Sequence, residues 1–373
     1  MSAQDGGPNP IAERPDSGPQ LGYPWATSLF APTRRAMPTT ASKQITSVLA
    51  AAAALAAGAV ASVCLGAVDL DLPTVWAALL GDGEATTVAI VRDLRAPRTL
   101  AAAVSGGCLA AAGVALQAAF RNPLADPALL GVSAGGACGA ALALVVLPAF
   151  AGLSLGVPLL AFCGALLTTA LLWRVSLWRG RPDVARMLLA GLALNALAGG
   201  VLGLALHLAD QRALRSLTGW MLGSFAGTLW TEHTWAVAIS GVAIFALLRM
   251  ARTLDALLLG EQGARQLGVS PEGTLRAISL WVALGVGASV SVAGIVGFIG
   301  LVVPHSARLL VGPTHKRLLP LATLGGAALT VWADVGARTL APPRELPLGV
   351  LTCLIGAPFF LWLITSKRLG RMW

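Results

Sequence analysis

The ionisable residues that could do chemistry are few in this chain, and arginines make up one group of them. The stretch RDLRAPR at 92–98 carries three, and Arg338 stands near the end of an apolar run. Because a guanidinium donates two parallel hydrogen bonds to a carboxylate, this group suits an acidic partner protein. Two other interpretations stay open: an anchor to lipid headgroups, or an internal ion pair with Asp93 or Glu345.

A second group lies in the segment 251–273, ARTLDALLLGEQGARQLGVSPEG, which interleaves leucines with charged and amide side chains. Gly260 and Gly268 punctuate it, so the pattern predicts two short helices. A short amphipathic element can dock in a groove of a soluble partner, or it can lie on lipid headgroups. The pattern alone weighs these two interpretations about equally.

The stretch FRNPLADPALLGVSAGG at 120–136 places polar residues and prolines between two apolar runs. Pro123 and Pro127 lack backbone donors and disfavour helix in the residues before them. Asp126 suits the N-cap of the following helix, with Pro127 at its first position. A well-capped tight turn is sufficient to explain the stretch locally.

Sequence signatures of an enzyme or a metal site are missing. There is no GxxxxGK[ST] loop, nucleophile elbow or HExxH motif. The four histidines form no i, i+4 pair and the five cysteines no CxxC pair, which favours packing roles over metal ligation. We therefore predict a chain that is not an enzyme, without catalytic residues, metal sites or cofactors of its own. The apolar runs also lack the carboxylate cluster typical of ion-driven carriers.

The elements that must position these groups are membrane helices. Hydrophobic residues make up 56% of the 373 and charged residues 12%, roughly half the charge of a soluble domain. A spanning helix needs about 20 mostly apolar residues, so the sequence predicts an all-α polytopic membrane protein with about ten transmembrane helices. The predicted spans are 45–68, 98–119, 128–150, 152–173, 187–208, 233–250, 277–297, 298–311, 318–335 and 347–365. The eighth is short, and 213–227 is predicted as a surface or re-entrant helix.

The basic residues predict the orientation of these spans. With the N-terminus inside, nineteen of the 26 lysines and arginines fall in inner segments, including all three lysines. The net charge of +9 is thus explained by orientation and gives no reason to invoke nucleic acid. Residues 1–43 read as a disordered cytoplasmic tail rich in Pro, Gly, Ser and Thr, 44–366 as the membrane domain, and 367–373 as a short basic cytoplasmic tail. The first apolar run is too long for the core of a signal peptide.

Several long stretches resemble one family. They are LRAPRTLAAAVSGGCLAAAGVALQAAFRNPLADPALLGVSAGG (94–136), GEQGARQLGVSP (260–271), GFIGLVVPHSARLLVGPTHKRLLPL (297–321) and ADVGARTLAPPRELPLGVLTCLIGAPFFLWLI (333–364). The chain resembles the FecCD-type permeases, the membrane subunits of ABC importers for iron chelates, haem and cobalamin. The matches keep the family's order and cover most of residues 45–366. The proline-rich tail is the main departure.

The resemblance implies an architecture and partners. The expected fold is that of a type II ABC importer, with ten spans per subunit and a homodimer around a central pathway. Two ABC ATPase subunits, which hold ATP and Mg, would bind inside, and a periplasmic substrate-binding protein outside. The chain would lie in the bacterial inner membrane with both termini cytoplasmic.

The resemblance also implies roles for individual residues. Docking of the binding protein would fall to Arg95, Arg98 and Arg338. Coupling to the ATPase would fall to Glu261, Gln262, Ala264, Arg265, Leu267, Gly268 and Val269. The cytoplasmic gate would be formed by Asn122, Leu124, Val184 and Ala185. The last two match less securely, because the loop before them departs from the family pattern.

The expected mechanism is alternating access driven by ATP on the partner subunit. Haem is the expected substrate, because LRSLTGWMLGSF (214–225) resembles haem-importing members more than cobalamin ones. A ferric siderophore comes second and cobalamin is a further alternative. From other classes, an ion-gradient-driven secondary transporter and a structural membrane subunit stay as alternatives. The only tyrosine is Tyr23 in the tail, so phenolate ligation of iron in the pathway is excluded.

Overall fold

The structure, a computed structural model, describes residues 41–178 and 181–365. The first half contains α1 Ala41–Cys64, α2 Leu72–Leu80, α3 Ala85–Ala89, α4 Ala96–Ala119, α5 Val132–Ala141, α6 Pro148–Ala151, α7 Gly156–Ser176, β1 Leu177–Trp178 and β2 Arg181–Pro182. The second half contains α8 Val184–Leu208, α9 Gln211–Leu222, α10 Trp230–Arg249, α11 Ala251–Leu257, α12 Gly260–Gln266, α13 Pro271–Ala293, α14 Ile299–Val311, α15 His315–Thr339 and α16 Leu348–Thr365. The π-helical turns Ile90–Arg95 and Leu142–Val146 and the 3-10 turn Pro127–Leu130 complete the helical part, and β1 and β2 form a two-residue antiparallel pair.

The prediction of an all-α membrane protein with about ten spans is confirmed. Among the described residues, seven helices are long and apolar enough to cross a membrane, and three apolar helices are shorter. Each of the ten overlaps one predicted span. The eighth, predicted to be short, is α14 with 13 residues.

Small residues let the central helices approach one another closely. A Cβ added to Gly106 on α4 would lie 2.4 Å from the Gly326 carbonyl oxygen on α15, and one on Gly113 only 1.9 Å from the Gly300 carbonyl oxygen on α14. Such contacts replace hydrophobic driving force as the source of helix association in lipid. They place α4 against both α14 and α15 at the centre of the bundle.

Two local predictions can be compared with the structure. Asp126 is an N-cap as predicted, since its side chain accepts a hydrogen bond of 2.9 Å from the Ala128 N–H. It caps a 3-10 turn, however, and α5 begins only after Gly131, whose positive φ of 73° redirects the chain. The glycine-broken stretch 213–227 contains most of α9, which ends at Leu222 and is followed by Gly223 at its C-cap.

The predicted tails fall largely outside the described residues. Residues 1–40 of the predicted disordered tail and the predicted basic tail 367–373 lie outside them, as do 179–180. Helix α1 begins at Ala41, slightly before the predicted span.

Candidate functional site

Polar residues gather at both ends of the α4–α15 pair, and Arg98 is the centre of the first cluster. Its Nη2 lies 2.9 Å from Asp334 Oδ1 and 2.8 Å from Glu345 Oε2. Its Nε and Nη1 donate further bonds of 3.0 Å to the same two carboxylates. The Asp334 side chain is only 1% exposed, whereas that of Glu345 is 42% exposed. The internal pair with Glu345, left open by the sequence, is therefore present.

Arg95 and Arg338 bind the end of α1. Arg95 Nη1 donates to the carbonyls of Val63 (2.7 Å) and Cys64 (2.8 Å), and its Nη2 donates to a further carbonyl in the following loop. Arg338 Nη2 donates to the carbonyl (3.1 Å) and hydroxyl (2.9 Å) of Ser62. The last carbonyls of a helix have no partner within it, and cations are favoured beside them. These two arginines thus satisfy the end of α1.

The three arginines predicted to dock a binding protein are consequently engaged inside the chain. Arg95 is 6% exposed, and the side chains of Arg338 and Arg98 are 6% and 11% exposed. Exposed guanidiniums near this cluster belong to Arg92 and Arg344. We call Arg95, Arg98, Arg338, Asp334 and Glu345 the arginine cluster.

The opposite end carries the segment 251–273, which we call the coupling segment. It forms α11 and α12, as predicted, and Gly260 and Gly268 have the positive φ values (86° and 76°) that such punctuation requires. Of the predicted coupling residues, Glu261, Gln262, Arg265, Leu267 and Gly268 are exposed, Val269 is half-buried and Ala264 is fully buried. Ala264 therefore packs α12 onto the bundle and offers no surface to a partner.

One residue of the coupling segment reaches α15 directly. The carboxylate of Asp255 accepts a 2.9 Å hydrogen bond from the backbone N–H of His315 and lies 2.7 Å from its Nδ1. Burial acts to raise the pKa of Asp255, but the hydrogen bonds and charge of His315 outweigh it, so this pKa lies below its ordinary value. Asp255 is therefore ionised at neutral pH.

A cavity of about 280 Å³ lies between the coupling segment and the predicted gate. Its lining brings the gate residues Val184 and Ala185 together with Glu261 and Arg265 of the coupling segment. Arg121 also lines it, and its Nη1 lies 3.6 Å from where a Cβ on Gly260 would be, so the turn after α4 meets the start of α12. The cavity thus places α12 opposite Val184 and Ala185.

The other two predicted gate residues lie in the turn after α4. Asn122 Oδ1 accepts a 2.9 Å hydrogen bond from the Leu124 N–H, which fixes the turn, and Leu124 is 42% exposed. They are not among the described residues that line the cavity. The turn packs on α8, where Asn195 Nδ2 donates to the Ala128 carbonyl at 3.1 Å.

The comparisons with known proteins identify the family. The FecCD transport family matches residues 54–366. The hemin transport system permease protein of Yersinia pestis is 42% identical over 84% of this chain and 93% of its own length. The chain belongs to the FecCD transport family.

Further relatives and a solved structure agree with this. The vitamin B12 import system permease protein of Vibrio cholerae is 44% identical over 75% of this chain and 83% of its own length. A metal-chelate type ABC transporter solved in an inward-facing conformation matches with a TM-score of 0.76 and 31% identity, covering 85% of this chain and 98% of that chain. This FecCD chain is thus a membrane permease subunit, as the sequence resemblance predicted.

Sequence reasoning missed part of both clusters in this FecCD permease. The sequence pattern assigns no partner to Asp334, and it does not pair Asp255 with His315. The two lie sixty residues apart in the chain, so only the packing of α11 on α15 brings them together. The only local signal is an acidic residue next to the three consecutive leucines and one alanine of the coupling segment.

Proposed function

We propose that this permease is the transmembrane subunit of an ATP-driven importer that carries haem into the cytoplasm by alternating access. It works as a homodimer in the bacterial inner membrane, with both termini cytoplasmic. Two ABC ATPase subunits, holding ATP and Mg, bind the coupling segments, and a periplasmic binding protein docks at the arginine cluster. The observation that carries the proposal is the exposed coupling segment on a chain of this family.

The coupling segment has the surface expected of a protein-docking element. Leu259 is 65% exposed and Leu267 is 62% exposed, beside the exposed charges of Glu261 and Arg265. Fully burying a leucine side chain is worth about 1.5–3 kcal/mol, so a groove on the ATPase that covers both gains substantial affinity. The charged neighbours then set the orientation of docking.

Docking at the arginine cluster requires an exchange of partners. Arg98 already binds Glu345, whose side chain is 42% exposed and lies on the loop between α15 and α16. A glutamate of the binding protein takes the place of Glu345 on Arg98, while Arg95 and Arg338 hold the end of α1 in register. Charges at the rim of an interface mainly govern the association rate and its salt dependence.

The assignment of the predicted gate residues as a gate is supported by their position beside the coupling segment. Val184 and Ala185 share a cavity with Glu261 and Arg265, and Asn122 and Leu124 belong to the turn whose Arg121 approaches α12. Closure of the ATPase dimer shifts α12, and this shift opens or closes the gate.

Haem is favoured over other chelates by two features. The relative from Yersinia pestis, a hemin permease, covers more of this chain than the B12 permease from Vibrio cholerae, 84% against 75%. The stretch 214–225, which forms most of α9 and the following turn, resembles haem-importing members. Cobalamin and ferric siderophores are the alternative substrates. The chemical class common to all three is a bulky metal chelate.

An ion-gradient-driven carrier is the alternative from another class. Such a carrier needs ionisable groups that load and release ions within the membrane. In the described spans the buried carboxylate of Asp334 is bound to Arg98 and Arg338, which leaves it unsuited to that task.

The test is to purify the permease together with its ATPase and measure MgATP hydrolysis as binding protein is added. We expect a co-purifying ATPase whose turnover rises with haem-loaded binding protein. Stimulation only by a cobalamin- or siderophore-loaded protein would change the substrate and keep the importer. Uptake that follows a proton or sodium gradient without any ATPase would refute the proposal.

A further inference from the structure

Helix α15 is held by an acid–base contact near each end. Its first residue, His315, binds Asp255 of the coupling segment, and Asp334 near its last turn binds Arg98 of α4. Asp334 lies nineteen residues beyond His315, about 28 Å along an α-helix. The helix thus joins the coupling segment to the arginine cluster.

The contact at the first end replaces a missing cap. Among the described residues, Thr314 stands at the N-cap of α15 and makes no side-chain cap hydrogen bond. Asp255, on another helix, instead accepts from a different free N–H of this helix end, that of the first residue His315, at 2.9 Å. A carboxylate at a helix N-terminus is also favoured by the helix dipole. The capping group of α15 is therefore carried by the element that faces the ATPase.

The surroundings make this contact firm. The His315 side chain is 1% exposed, and α11 is anchored on the core by Leu254, which is fully buried, and by Leu257 at 8% exposure. Since α11 is fastened to α15 in this way, a shift of the coupling segment cannot leave α15 in place without breaking two hydrogen bonds. Packed helices of this kind move as units when an interface changes.

We propose that Asp255 is a positioning residue that makes α15 move with the coupling segment, so that the ATPase and the arginine cluster sense each other through this helix. The inference rests on the proposed function, because it assumes an ATPase on one face and a binding protein on the other. It assigns the regulation of ATP hydrolysis by the docked binding protein to a contact between α11 and α15.

The test uses the complete complex, permease with ATPase, in proteoliposomes with haem-loaded binding protein. The readout is the ratio of stimulated to basal ATP hydrolysis. We expect Asp255→Ala to lower this ratio at least five-fold and Asp255→Asn to retain it, because the Asn oxygen still accepts the His315 N–H. His315→Ala removes only the side-chain contact and should lower the ratio by less. The double variant Asp255→Ala, His315→Ala should match Asp255→Ala alone, since coupled residues are not additive.

Asp71→Ala is the matched control. Asp71 also caps a helix, accepting from the Thr74 N–H at 3.2 Å, but that helix is its own α2. Loss of one cap there should leave the ratio unchanged. If the Asp255→Ala complex fails to assemble, His315→Ala alone tests the inference, through the expected partial loss of the ratio.

Full stimulation in the assembled Asp255→Ala complex would overturn the inference, and so would an equal loss in Asp71→Ala. Failure of the proposed function looks different. In that case the unmodified permease would bind no ATPase or show no stimulation at all.

Discussion

The two ends of α15 use their charges in different ways. At the arginine cluster, three guanidiniums bind the two carboxylates and the carbonyls at the end of α1, and the central acid, Asp334, is only 1% exposed. At the coupling segment Glu261 and Arg265 are exposed and lie beside Leu259 and Leu267, which are 65% and 62% exposed. Most charges of the first end are thus used up within the chain, whereas the second end leaves charged and apolar side chains exposed.

The largest effect should come from opening the arginine cluster. Among the described residues, Arg98→Ala leaves the buried Asp334 with only Arg338, at 3.4 Å. Removing one member of a buried ion pair destabilises a protein by about 3–5 kcal/mol. We expect a marked loss of thermal stability in detergent, measured by unfolding of the purified permease. Arg344→Ala removes an exposed arginine on the neighbouring loop and should change nothing; equal stability of the two variants would show that the cluster is not structural.

Separating α4 from α15 should have the next largest effect. A Cβ on Gly106 would lie 2.1 Å from the Thr330 hydroxyl and 2.4 Å from the Gly326 carbonyl, so Gly106→Ala forces the helices apart. Overpacking of this kind destabilises by about 1–3 kcal/mol. Gly241→Ala on α10 is the control, since a Cβ there would have no neighbour within 4 Å. The account expects thermal unfolding at a lower temperature for Gly106→Ala alone.

A smaller effect is expected at the coupling segment. Leu267→Asp places a charge on a leucine that is 62% exposed and should weaken ATPase binding about tenfold, or about 1.4 kcal/mol. This lies just below the ~1.5–3 kcal/mol of fully burying a leucine, because part of Leu267 is already covered. Leu340→Asp, at a 67% exposed leucine just after α15, is the control at the other end. Permease–ATPase affinity, measured by titration in detergent, should fall only for the first. A matching fall for Leu340→Asp would mean that the two ends are not distinct.

The smallest effect, on the rate of binding-protein association, concerns the exposed arginines beside the arginine cluster. Arg344→Glu should slow association of the binding protein by a few-fold at low salt, and the difference should shrink as salt is raised. Stopped-flow mixing at two ionic strengths measures this. Arg98→Glu is a poor test of docking, because it would break the buried pair with Asp334 and the fold with it.

The sequence predicted the helices well because the membrane imposes a simple pattern. A run of about 20 apolar residues is sufficient to predict a span. Glycines favour positive φ, so Gly260 and Gly268 indicated the ends of α12. The roles of Arg95, Arg98 and Arg338 as docking residues stay predictions. Their burial could not be predicted, because it depends on the course of α1 and of the loop at Glu345. No pattern within RDLRAPR reveals that the end of α1 returns to meet it.

The contact between Asp255 and His315 could not be predicted from the sequence either. Each residue by itself looks like an isolated polar group near a helix end. Only the three-dimensional arrangement of α11 and α15 turns them into a pair. Ala264 also shows that sequence position does not reveal burial, since it lies within the predicted coupling residues and yet faces the core.

The most direct test is photo-cross-linking in the assembled complex, with a photoreactive residue at position 267 in one variant and at position 340 in another. Both positions carry exposed leucines, one in the coupling segment and one just after α15. The account predicts that position 267 cross-links to the ATPase alone and position 340 to the binding protein alone. An ATPase cross-linked at position 340, or no ATPase at position 267, would contradict it.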